Sequence, residues 1–149
     1  MTELPALRGI HHLKFAVSDL ARSLDFYERA FGAYRIAQAD HRTPDGFLFA
    51  YILEVPGLGT KLELRLNPEH AEKHRKFDPV TIAVDDRAAL ERWAAHFDAL
   101  GIAHSPVLTA IQAWILVVDD PDQRRLRLYT IEMHGAELTP DNGSPWLQT

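Results

Sequence analysis

The stretch His12-Leu-Lys-Phe-Ala-Val-Ser-Asp19-Leu-Ala-Arg-Ser-Leu-Asp-Phe-Tyr27-Glu-Arg-Ala-Phe-Gly32 returns later in weaker form, as Val80-Thr-Ile-Ala-Val84-Asp-Asp86-Arg-Ala-Ala-Leu-Glu-Arg-Trp-Ala-Ala-His-Phe-Asp-Ala-Leu-Gly101. Ala16, Val17 and Asp19 fall on Ala83, Val84 and Asp86 at one constant offset. Each copy reads as a short apolar strand, an Asp that can cap a helix, an amphipathic helix and a closing glycine. The period is about half the chain, longer than the ~20–50 residues of solenoid repeats. The chain is therefore expected to hold two copies of one supersecondary module, with room for a cavity between them.

Working outward, Leu20, Leu24, Tyr27 and Phe31 recur at helical spacing and predict one buried stripe. Three extended segments follow, Tyr34–Gln38, Phe47–Leu53 and Lys61–Leu66, separated by Pro44-Asp45-Gly46 and Pro56-Gly57-Leu58-Gly59. The second copy continues with strands expected at Ala103–Leu108, Ala113–Val118 and Arg125–Ile131. Each module thus reads βαβββ. The expected organisation is a single domain, 1–149, with modules at 9–66 and 79–132, a charged linker at 67–78 and a C-terminal extension at 133–149. The extension, rich in Gly, Pro and Asn, reads as loosely packed.

Composition narrows the function. The 149 residues carry a formal net charge of −5 and no cysteine. That balance speaks against a nucleic-acid partner, which needs a basic face, and it excludes disulfides and thiolate metal sites. The apolar run Phe47–Leu53 is far short of the ~20 residues that span a bilayer, so no membrane role is expected. The N-terminus lacks the charged start and apolar core of a secretion signal, and a cytoplasmic location is the expectation.

The residues His12, Val17-Ser18-Asp19, Ser23 to Tyr27, Phe31-Gly32 and the late Asp120-Pro121-Asp122 with Leu126-Arg127-Leu128 resemble the vicinal oxygen chelate superfamily, which includes glyoxalase I, extradiol dioxygenases and bleomycin-resistance proteins. The resemblance covers about residues 9 to 132. It implies an α+β fold in which two βαβββ modules form a curved eight-stranded mixed sheet around a cavity. It also implies a divalent metal there, held by residues from the first and last strand of each module. His12 and Glu63 match two of those ligand positions. At the other two stand Pro79, which has no donor, and Arg127, which brings a permanent positive charge.

Two ligands fall short of the three or more that such ions need from protein. The expectation is accordingly no cofactor and no full metal site, with His12 and Glu63 as the ligands should a metal bind. The resemblance makes Glu63 and Arg127 converge, and sequence reasoning expects them to neutralise each other. Strand alternation adds further residues to the same faces: Lys14 beside His12, Arg65 beside Glu63, Tyr129 beside Arg127, and Thr81 on the strand of Pro79. The resulting ligand-binding set is His12, Lys14, Glu63, Arg65, Thr81, Arg127 and Tyr129. It is polar and net positive, which suits an anionic or carboxylate-bearing small molecule.

Two functions follow. One is a small-molecule-binding protein of the glyoxalase/bleomycin-resistance type. The other is a lyase, isomerase or dioxygenase that uses His12 and Glu63 with a rebuilt metal site or as acid and base. A homodimer is expected, because sheet edges must be paired or covered.

Overall fold

The computed structural model describes residues 3–148. The chain divides into two compact units, Met1–Asn67 and Pro68–Thr149. In the first, β1 (His12–Val17) leads into α1 (Leu20–Phe31), then β2 (Tyr34–Arg35), β3 (His41–Arg42), β4 (Leu48–Glu54) and β5 (Lys61–Leu66). The sheet order is β1-β5-β4-β2, with β3 also on β4. β1 runs parallel to β5, and the other pairs are antiparallel.

The second unit starts with a short helix, α2 (Pro68–Lys73), within the expected linker. It continues through β6 (Val80–Val84), α3 (Arg87–Ala99), β7 (Leu108–Thr109), β8 (Ala113–Asp119) and β9 (Arg125–Met133). Its order is β6-β9-β8-β7, with β6 parallel to β9. In both units the first strand lies parallel to the last, which in turn pairs with the strand before it. The fold is α+β and is built from two βαβββ units, as expected. Its strands form two sheets, of five and four members.

The caps explain why both helices start and stop where they do. Asp19 accepts a hydrogen bond from the Arg22 amide at 2.9 Å, and Asp86 accepts one from the Ala89 amide at 2.7 Å. Gly32 ends α1 with φ at 67°, a left-handed conformation that a side chain would strain.

The buried stripe of α1 is Leu20, Ser23, Phe26, Tyr27 and Ala30. It is rotated from the expected one, so Leu24 and Phe31 lie at its margin. Small Ser23 and Ala30 line the contact and Phe26 supplies the bulk. This stripe covers one face of the first sheet, where Phe15, Val17, Tyr51, Leu53, Leu62 and Leu64 are buried. In the second unit, Leu90 and Phe97 of α3 are buried together with Leu116, Val118, Leu126 and Leu128. Helices cover one face of each sheet; the candidate site residues stand on the other.

Two expected strands are shorter than the sequence suggests. Tyr34–Gln38 breaks after Arg35, and a 3-10 turn at Ala37–Ala39 precedes β3. Arg35 Nε donates to Asp40 Oδ1 at 2.9 Å, closing that turn, and its guanidinium sits 4.4 Å from the centre of the Tyr51 ring. Ala103–Leu108 contributes one isolated bridge, His104 to Val118, before β7 begins.

The extension is not loose. Asp141 binds the backbone of Thr109 in both directions: its amide donates to the Thr109 carbonyl at 2.8 Å, and its carboxylate accepts from the Thr109 amide at 2.7 Å. Trp146 and Leu147, like Tyr129, pack on Leu108, Ala110, Ile115 and Val117. An apolar pair in a polar tail has water to escape, and β8 and β9 give it a surface.

Candidate functional site

In the first unit the site centres on Glu63. Parallel register places Lys61, Glu63 and Arg65 of β5 beside His12, Lys14 and Ala16 of β1, so their side chains share the face away from α1. Glu63 is 1% exposed. A carboxylate so far from water is tolerable only with charged or hydrogen-bonding partners. Arg65 Nε supplies the closest, donating to Glu63 Oε2 at 2.7 Å. Glu63 Oε1 lies 3.5 Å from His12 Nε2 and 3.5 Å from His41 Nε2.

His41 escaped sequence reasoning because it follows the turn that breaks the expected strand. Its register partner is Ala50 on β4, and Ala50 also pairs with Arg65. That places His41 in the Glu63 cluster. Its Nδ1 lies 2.9 Å from the Ala39 carbonyl, which can only accept, so Nδ1 carries the hydrogen and Nε2 faces the carboxylate. His12 has its Nδ1 2.9 Å from His11 Nδ1. The one available signal for His41 was the Arg35…Asp40 charge pair bracketing Ile36 and three small or polar residues. Tyr51 faces the α1 side and belongs to the core.

In the second unit, register joins Thr81 to Arg127, Arg127 to Val117 and Tyr129 to Ile115. Arg127, Tyr129 and Thr81 therefore share the face away from α3. Thr81 is exposed. Arg127 Nε is 2.7 Å from Asp78 Oδ2, and its Nη2 lies 3.4 Å from the Leu147 carbonyl. The C-terminal segment thus reaches Arg127 and shares with Tyr129 the cluster on which its apolar side chains pack. Glu63 and Arg127 each have a counter-ion within their own unit, so the neutralisation that sequence reasoning assigned to their pairing is met locally. Asp78, next to Pro79, thus serves as the counter-ion of Arg127.

Arg125 is a further residue that sequence reasoning missed. Period-two alternation from Arg127 reaches it as directly as it reaches Tyr129. It is 8% exposed, and its Nη1 donates to the carbonyls of Pro145 at 2.8 Å and Gln148 at 2.6 Å.

The divalent metal implied by the resemblance does not fit these residues. Pro79 offers no donor, Arg127 is a cation, and one oxygen of Glu63 already holds a guanidinium. Among the described residues no group of three or more His, Cys, Asp or Glu side chains is arranged to hold a metal ion. Nor is any helix among them long and apolar enough to cross a membrane.

Comparison with known proteins agrees with the fold. The model of the Glyoxalase/Bleomycin resistance protein/Dioxygenase superfamily matches residues 9–128. A curated relative, the putative ring-cleaving dioxygenase MhqA of Bacillus subtilis, is 27% identical over 127 residues, 82% of this chain. The match spans only 40% of that relative's length. Among solved structures, a glyoxylase/bleomycin resistance protein/dioxygenase domain from a Frankia species is 21% identical, with a TM-score of 0.65 over 84% of this chain and 98% of that one. TnmS3, an antibiotic binding protein from a Streptomyces species, is 18% identical, with a TM-score of 0.65 over 85% of this chain and 98% of its own. At those identities the likeness is one of fold.

Proposed function

The chain belongs to the glyoxalase/bleomycin resistance protein/dioxygenase superfamily, and from that premise we propose that it binds an anionic, carboxylate-bearing small molecule without a full metal centre. The carrying observation is the buried Glu63 carboxylate, whose counter-charge comes from Arg65 on its own strand. In that arrangement the face has no need of a divalent ion. Lys14, Lys61 and Arg65 outnumber Glu63 on it, and His12 and His41 add ring N–H or lone-pair groups. Thr81, Arg127 and Tyr129 are the proposed contacts from the second unit. The Streptomyces antibiotic binding protein is a precedent of fold for small-molecule binding.

The test is elemental analysis of protein purified without chelator, followed by thermal shift against small carboxylates. The expected result is no stoichiometric metal, with a carboxylate-dependent rise in melting temperature that Arg65→Met and Lys14→Met weaken. Near one equivalent of Zn²⁺, Mn²⁺ or Fe²⁺, lost in His12→Ala, would overturn it.

A second reading, a lyase, isomerase or dioxygenase, is favoured by the two imidazole nitrogens flanking Glu63 at 3.5 Å and by the putative ring-cleaving relative. A carboxylate that orients a histidine is a usual acid–base device. In this reading His12→Gln and Glu63→Gln abolish turnover while ligand affinity is retained. We place the protein in the cytoplasm as a homodimer without a nucleic-acid partner, in keeping with its acidic balance.

A further inference from the structure

We propose that the Arg125–Arg127–Tyr129 face of the second unit is a site for an anionic aromatic molecule, and that residues 141–148 are a displaceable strap occupying it in the ligand-free protein. This rests on the anionic-ligand reading for the second unit only, and it is independent of the Glu63 cluster.

The strap copies such a ligand group by group. Its carbonyl oxygens at Pro145 and Gln148 sit on Arg125 Nη1, and that of Leu147 sits near Arg127 Nη2, where carboxylate or sulfonate oxygens would bind. The Trp146 ring lies 5.5 Å from the Arg125 guanidinium carbon. With Leu147, and beside Tyr129 on the same cluster, it covers the apolar surface of Leu108, Ala110, Ile115 and Val117, where an aromatic body would lie.

The strap satisfies this face incompletely. Arg125 Nε is buried and, among the described residues, has no hydrogen-bond partner; the nearest carboxylate oxygen, Asp119 Oδ1, is 3.8 Å away and equally unpartnered. A backbone carbonyl is a neutral acceptor. An anionic oxygen on the same guanidinium would add the attraction of a full negative charge to that hydrogen bond. An incoming anion therefore gains where the strap is weakest.

The strap is also built to leave. It is anchored at Asp141, an exposed residue, by one backbone bond and one bond to its carboxylate, follows Gly135 and Pro140, and keeps Pro145 and Gln148 exposed. Hydrogen bonds at exposed residues open at lower cost than buried ones.

The absence of cysteine allows a clean test in the full chain. Thr109→Cys with Asp141→Cys, at backbone-bonded positions, locks the strap when oxidised and frees it when reduced. The probe is anilinonaphthalene sulfonate, an anionic arene, with neutral N-phenylnaphthylamine as control. Because apparent affinity scales with the fraction of open protein, the reduced form should bind the anionic probe at least about tenfold more tightly than the oxidised form. Trp146→Ala with Leu147→Ala, without the cysteines, should tighten binding in the same direction. Arg125→Met added to that variant should abolish the gain.

Equal affinity of the oxidised and reduced forms would overturn the strap. An equal gain for the neutral probe would overturn the anion site. If the Trp146 and Leu147 variant does not fold, the redox pair still decides. Arg65→Met reports separately on the Glu63 cluster: its effect on carboxylate binding can vanish while the redox difference persists, and the reverse.

Discussion

Arg65 shows how much a single side chain decides here. A buried carboxylate in this family position calls for a cation, and sequence reasoning looked for it across the chain at Arg127. The guanidinium two residues along the same strand supplies one, because period two returns Arg65 to the face of Glu63. Arg65→Met should strand that carboxylate. Losing one partner of a wholly buried pair costs ~3–5 kcal/mol, and since Arg65 is itself 37% exposed the loss should be about 2–3 kcal/mol, read by urea denaturation. Arg65→Lys should recover part of it, and an unchanged unfolding midpoint in Arg65→Met would refute the pairing. Asp40 supplies a pH dependence of the opposite chemical kind. The hydrogen bond from Arg35, followed by the attraction of that guanidinium, holds its carboxyl below the ordinary 3.8. A lowered carboxyl pKa stabilises the fold above the unfolded value, and that stability is lost as pH falls through the lowered native one. Asp40→Asn should therefore flatten the acid limb of the stability profile below about pH 4. A limb as steep as that of the parent would show that Asp40 contributes nothing to it.

Among the elements, the helices were the most legible. Asp19, Gly32 and Asp86 announce their boundaries, and capping acts within a few residues of sequence. The last strands were legible too, as was which residues share a face, because alternation is a local rule. The break between β2 and β3 was not. It depends on an ion pair closing over a 3-10 turn and on Tyr51 receiving the Arg35 guanidinium, both tertiary facts, and it alone decides that His41 reaches Glu63. The C-terminal strap was missed for a similar reason: Gly, Pro and Asn describe its turns accurately but say nothing of the surface on which Trp146 lands. The turn before β9 carries its own buried pair. Asp120 Oδ2 accepts from Arg124 Nη1 at 2.6 Å, and Asp120 Oδ1 accepts from the amides of Asp122 and Arg124 at 2.9 Å each. Asp120→Ala leaves Arg124, 1% exposed, without that partner and should cost about 3–5 kcal/mol in an equilibrium melt. At the far end of β9, hydrogen bonding to the Gly135 carbonyl, then to that of Ala110, raises the His134 pKa above its ordinary 6.5. Stability from a raised histidine is fully present below 6.5 and lost as pH rises through the higher native value. His134→Gln should remove that decline on the neutral-to-alkaline side; a decline of unchanged size would assign it to another group.

For the molecule as a whole, the same βαβββ plan appears twice, yet the two copies leave different surfaces exposed. The first unit presents charged side chains around Glu63. On the second, Ile131 and Met133 alternate along β9 and Ile111 stands in the turn before β8, with exposures of 68%, 70% and 74%. Three large apolar side chains so exposed and so close together mark an association surface more often than an accident of composition. They cannot hold a dimer alone, since stable interfaces bury on the order of 1,200–2,000 Å². The sheet edges must contribute. β7 is shielded by the two hydrogen bonds between Asp141 and Thr109, whereas β1 and β6 are the terminal strands of their sheets. Terminal strands are where sheets extend by pairing, and a copy of the same chain would pair equal surfaces about a two-fold axis. The expected assembly is thus an isologous homodimer, with a light-scattering mass about twice the 16.9 kDa protomer. Ile131→Lys with Met133→Lys should shift it to the monomer without lowering the melting temperature of the protomer fold, because these side chains are already exposed. A dimer that survives both lysines would move the interface to another surface, and a monomer in the unmodified protein at micromolar concentration would remove it.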